Sequence, residues 1–162
     1  MGWNNDSLQA VADRTVKMER EPMDRDKKAV KPAKPDSPAN PDDLGLGGDV
    51  RSMRALSIRQ PFAEAILRGA KTSEFRSGPT AIRERILIYA GLKRYTEDDE
   101  RQIADEFDMA DVDLDNLPRG VIVGSVELYD CDGGEWLLRN PQRAVHPVPP
   151  KNRPNPVWFY PF

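Results

Sequence analysis

Cysteine and histidine are almost absent: Cys131 and His146 are the only ones in 162 residues. A lone thiol closes no internal disulfide and fits a reducing compartment. One of each leaves no zinc ligand set, so neither metal nor other cofactor is expected. No apolar run reaches the ~20 residues that span a bilayer. The N-terminus also lacks the basic-then-apolar order of a signal peptide. "MGWNNDS" approaches a myristoylation start, but Asp6 stands where Ser or Thr is needed. These absences predict a cytoplasmic protein with no membrane partner. Glycine-rich phosphate loops, internal repeats and coiled-coil heptads are missing as well. The net charge of −3 argues against indiscriminate nucleic-acid binding.

Aromatic residues are nearly missing from the first fifty positions, where Trp3 stands alone; the other eleven lie between Phe62 and Phe162. The same stretch carries five prolines and the run "KKAVKPAKPDSPANPDD". Such a segment buries too little apolar surface to offset the entropy of ordering it. Residues 1–50 therefore read as a disordered or linker-like arm, with at best a transient helix over residues 8–18. A folded domain is expected over residues 51–162, long enough for one modest core.

Charge is informative by segment. Residues 51–96 balance to +7, residues 97–115 to −9 and residues 116–162 to +1. A basic patch can serve phosphates, and an acidic lobe can recruit a basic protein partner; paired surface charges are the blander alternative.

"RALSI" predicts a strand ending at Ile58. "RQPFAEAILRGAK" predicts a helix with Pro61 in its first turn and Gly69 at its C-terminal cap. "TSEFR" is extended and "ERILIYAG" is a strand. A helix is expected over residues 97–108, N-capped by Thr96, with Ile103 and Phe107 on its apolar side. "GVIVGSVELYDC" is the strongest strand, and Gly124 within it suggests a bulge or a close backbone approach. "EWLLRNPQ" reads as a short helix. Seven prolines after residue 140 forbid regular structure until a closing strand in "PVWFYPF". Short strands with two or three short helices and no strand–helix–strand repeat predict an α+β fold, a small mixed β-barrel.

"LSIRQPFAEAILRGAKTSEFR" resembles the opening of the ASCH domain family, whose signature G-x-K-x-x-E-x-R is met by Gly69, Lys71, Glu74 and Arg76. "VIVGSVELYDC" and "PVWFYPF" are similar to small bacterial-type members. The resemblance covers roughly residues 53–162 and implies a PUA-like β-barrel that binds RNA or a nucleotide. Some relatives hydrolyse the amide of acetylated cytidine, and a ribonuclease activity has been proposed in the family.

Each candidate residue carries two readings. Arg59, Gln60 and Pro61 stand where a strand turns into a helix, a place suited to an anion. Arg59 can clamp that anion while Gln60 meets a base edge, or Arg59 pairs with an acid and Gln60 caps the helix. Lys71 is a base if enclosed, and otherwise a solvated charge. Glu74 and Arg76 share a strand face, either as an ion pair or as separate readers of base and phosphate. Glu127 interrupts an apolar strand. It faces the cleft with Val121, Val123, Ser125 and Tyr129 if Gly124 leaves the alternation intact, and otherwise emerges into solvent. Trp158, Phe159, Tyr160 and Tyr89 are expected to fill the core rather than to stack on bases.

The amidohydrolase relatives use a lysine, a threonine and a glutamate. Lys71 matches the lysine and Glu127 the glutamate, but the threonine position holds Glu74. Three functions are therefore expected in order: a non-catalytic RNA- or nucleotide-binding cleft, an amidohydrolase using Lys71, Glu74 and Glu127, and a protein-interaction domain using residues 97–115.

Overall fold

The computed structural model describes residues 40–162, so the expected helix at residues 8–18 and the arm as far as residue 39 lie outside the described residues. Among the described residues six strands form one curled sheet: β1 (Ala55–Arg59), β2 (Ser73–Phe75), β3 (Glu84–Gly91), β4 (Val121–Asp132), β5 (Glu135–Val148) and β6 (Trp158–Phe159). Their spatial order is β2-β5-β4-β3-β1-β6. Only β1 and β3 run parallel; the other neighbours are antiparallel. That parallel pair requires a crossover, which carries α1 (Phe62–Leu67) and β2. A second helix, α2 (Glu97–Glu106), is N-capped by Thr96, whose Oγ1 accepts from Asp99 N at 3.1 Å. The fold of the described residues is thus α+β, a curled half-barrel sheet with two α-helices.

Alternation builds two cores, one on each face. Along β3, Ile86, Ile88 and Ala90 pack with Leu56, Ile58, Leu128, Trp136 and Leu138 under α1. The intervening Leu87 and Tyr89 pack with Ala55, Ile122, Val148 and Phe159 on the opposite face. Leu44 and Val50 complete this second core and are fully or nearly fully buried. Residues 41–50, counted into the arm from composition, therefore pack on the sheet. Two well-placed apolar side chains suffice to dock a short, proline-started turn.

"EWLLRNPQ" is not a helix; it begins β5, the longest strand. Trp136 and Leu138 bury on one face in strand alternation, and β4 offers a ladder along the whole length. Pro141 and Pro147 lie inside this strand. The β2 pairing ends at Leu137, so beyond it the outer edge of β5 has no ladder for a proline to break. The closing aromatic strand is only two residues long, since β6 pairs with β1 at Leu56 and Ala55 alone.

Gly124 marks a register slip of β4 against both neighbours. Val121 and Val123 point to the α1 side, but so do Val126 and Leu128, which means the alternation inverts across residues 124–125. A bulge of this kind re-aims every side chain beyond it. A Cβ on Gly124 would sit 2.3 Å from Gln142 O and 2.6 Å from Leu67 Cδ2, so the close approach admits only glycine.

Candidate functional site

The sheet does not close by backbone pairing. Its two ends, β2 and the β1–β6 edge, are joined by side chains. Arg76, one residue beyond β2, donates from Nη2 to Ser57 O at 2.6 Å and from Nη1 to Pro156 O at 3.4 Å. Trp136, beside β2, lies parallel to Trp158 of β6 with centroids 5.3 Å apart and 9° between planes. The seam between these ends is where the candidate residues gather.

Gly69 ends the helical turn in a left-handed conformation (φ +74°), so the chain reverses and brings Lys71 back against α1. Lys71 is buried. Its Nζ donates to Glu74 Oε2 at 2.9 Å and to the Ser73 carbonyl, and lies 5.5 Å from the Phe62 ring centroid. The other carboxylate oxygen of Glu74 stands 3.3 Å from Arg76 Nη2. Glu74 thus holds two cations, and the ion-pair reading of Glu74 and Arg76 is realised. The Arg76 Nε–H is buried without an acceptor.

Arg59, at the end of β1, places its guanidinium 5.2 Å from the Tyr95 ring centroid. Tyr95 is the residue that sequence reasoning missed. Burial pushes its phenol up, Arg59 pulls it down, Glu74 raises it further and Arg76 opposes. Its hydroxyl therefore lies in the field of three of the candidate residues. No motif marks it, because it stands in the loop after β3 and only the fold carries it to the seam. Glu106, at the end of α2, was also unmarked. Burial raises its carboxyl while the Lys71 charge draws it down.

Gln60 resolves to the capping role. It is fully buried, its Oε1 accepts from Glu64 N at 3.0 Å and its Nε2 donates to Pro118 O at 3.1 Å. Both ends of the amide are occupied internally. Pro61 follows a cis peptide bond and is buried.

Glu127 is not brought to the seam. Its carboxylate accepts from Arg139 Nη2 at 2.6 Å and Asn140 Nδ2 at 3.0 Å, which hold it down at about 2. It pairs in register with Arg139, next to Leu138, whereas Glu74 pairs with Trp136. Trp136 and Leu138 share the α1 side, so Glu127 faces the other way. The inversion at Gly124 is the reason: with unbroken alternation Glu127 would follow Val121 and Val123. Among the terminal aromatics Phe159 is buried, as is Tyr89, but Tyr160 is half-exposed at 51%.

The seam therefore offers three cations, the Glu74 carboxylate and several aromatic faces around one polar wall. Among the described residues no group of His, Cys, Asp and Glu is gathered as a metal site. No helix among them is long and apolar enough to cross a membrane.

The family model of the ASCH domain matches residues 56–145. The chain belongs to the ASCH domain family. The match spans β1, the G-x-K-x-x-E-x-R segment and most of β5, so it contains the polar wall but not the β6 side of the seam. Activating signal cointegrator 1 of Homo sapiens is 28% identical to this ASCH chain over 125 residues, 64% of the chain. The protein of the same name from Mus musculus is 29% identical over the same length. The alignment spans only 21% of either relative.

Proposed function

We propose that the seam is a cleft for a nucleotide or a short single-stranded RNA segment, held without chemical turnover. The observation that carries this reading is the placement of Arg59, Lys71 and Arg76 around Glu74, with Tyr95 alongside. Guanidinium and ammonium groups are suited to phosphate, and an aromatic face is suited to a base. Glu74, between two cations, is positioned to accept from an exocyclic amine.

A non-catalytic role is favoured by how Lys71 is engaged. Where a hydrolase of this type would place a threonine hydroxyl, Lys71 meets the Glu74 carboxylate. Thr72 is exposed, and Glu127 lies on the other face of the sheet. The protein-interaction reading of residues 97–115 has less support, because many of these acids are taken up internally. Glu100 is buried against Arg94 (2.7 Å) and Arg119 (3.0 Å), and Asp111 pairs with Arg68 at 3.0 Å. The name of the relatives speaks of a signal cointegrator, yet the likeness covers only about a fifth of those proteins.

The test is titration of a labelled single-stranded RNA at low and high salt beside an acetylcytidine hydrolysis assay. Binding should weaken with salt by about 0.7 log units per log unit for each phosphate contacted. Lys71→Ala should weaken it further, and no deacetylation should occur. A salt-independent dissociation constant, or turnover abolished by Lys71→Ala, would overturn the reading.

A further inference from the structure

Cations and aromatic rings continue outward from the seam in alternation. The Arg76 guanidinium lies 5.9 Å from the Trp136 ring centroid, and Trp136 stacks on Trp158. Arg54 lies 5.7 Å from Trp158 and again 5.7 Å from Tyr160. The series thus runs from a wall of the cleft to a half-exposed tyrosine on the surface. Arg54 is held in place by Glu84, which accepts from its Nε at 2.5 Å.

The outer end of this series is a built surface rather than a loose tail. Asn152 Nδ2 donates to Tyr160 O at 2.8 Å, and the backbone N–H groups of Lys151 and Asn152 both donate to Pro161 O. This ties the loop bearing Lys151 and Arg153 alongside Tyr160. Both cations are exposed, and neither has an acidic partner among the described residues. Many other arginines of the domain are paired: Arg51, Arg54, Arg68, Arg83, Arg94, Arg101, Arg139 and Arg143 each meet a carboxylate. Unpaired cations beside an exposed ring supply what a nucleic-acid strand needs, charge for its backbone and a face for its base.

We propose that Tyr160, Arg54, Lys151 and Arg153 form a second subsite, which binds the continuation of a single strand leaving the cleft. One base stacks on Tyr160, whose ring Arg54 backs, while Lys151 and Arg153 meet the phosphates on either side. This subsite lies beyond the segment matched by the family and rests on the reading of the seam as a nucleotide cleft. It makes the ligand an oligomer rather than a free mononucleotide.

The experiment compares uridine monophosphate with an oligouridylate of about 8 nucleotides, a length one small barrel can cover. Both are titrated against the full chain and its Tyr160→Ala, Tyr160→Phe, Lys151→Ala/Arg153→Ala and Lys71→Ala variants. Tyr160→Ala should weaken the oligomer roughly 5- to 150-fold, the range for losing one stacked base, and leave the mononucleotide unchanged. Tyr160→Phe should restore the oligomer affinity. Lys151→Ala/Arg153→Ala should flatten the salt dependence of the oligomer by about 1.4 log units per log unit, two phosphates' worth. Equal oligomer binding in all these variants would overturn the subsite. So would an equal loss for both ligands in Tyr160→Ala, or a polyglutamate peptide binding as tightly as the oligomer. Oligomer binding that depends on Tyr160 but not on Lys71 would retain the subsite and remove the cleft reading instead.

Discussion

Arg59 and Arg76 both offer a cation to the proposed ligand, yet the structure gives them different second jobs. Arg76 is a strut across the seam. Arg76→Ala removes a charged donor from Ser57 O, a loss of about 1.5–3 kcal/mol, and a cation–π contact with Trp136 of about 0.5–1 kcal/mol. It also relieves one buried donor, Nε, that has no acceptor, which returns on the order of 1 kcal/mol. The net loss is about 1–3 kcal/mol. Arg59→Ala loses its contact with the Tyr95 ring, about 0.5–1 kcal/mol. Urea unfolding followed by tryptophan fluorescence separates the two. With a slope of roughly 1–3 kcal/mol per molar, Arg76→Ala should lower the midpoint by about 1 M and Arg59→Ala by less than half as much. Both should weaken RNA binding. An Arg76→Ala protein with the parent midpoint would refute the strut, and equal midpoint losses would refute the division of roles.

Gly124→Ala should cost at least about 2–3 kcal/mol, because its Cβ meets backbone at Gln142 and the Leu67 side chain inside van der Waals distance; a thermal melt reads it directly. Glu127, depressed to about 2, contributes stability that is present above its unfolded pKa near 4.3 and lost as pH falls through about 2. Urea midpoints taken between those pH values should therefore fall more steeply in the parent than in Glu127→Gln, and parallel profiles would contradict the assignment. RNA binding, by contrast, should be indifferent to Glu127→Gln, since that carboxylate faces away from the seam.

Much of the architecture is legible in the chain itself. The continuous apolar run in "ERILIYAG" fits a strand buried on both faces, and Thr96 sets the start of α2. Gly69, Lys71, Glu74 and Arg76 mark the candidate wall before any coordinates through their match to the ASCH signature, not through turn chemistry or spacing alone. The long β5 was hidden: its prolines forbid a strand unless one edge is free, and only the sheet order reveals that edge. Gly124 announced an irregularity but not its consequence. Whether a bulge inverts the alternation depends on how the strand meets both neighbours, and that inversion sends Glu127 away from Lys71. Tyr95 and Trp136 join the seam from a distant loop and strand, with no signature of their own. Sequence thus determined the local elements through periodicity and caps, and the family motif marked the candidate wall. The tertiary structure decided what faces that wall and how the sheet's ends are joined, because those contacts are long-range and depend on strand register, which no local pattern encodes.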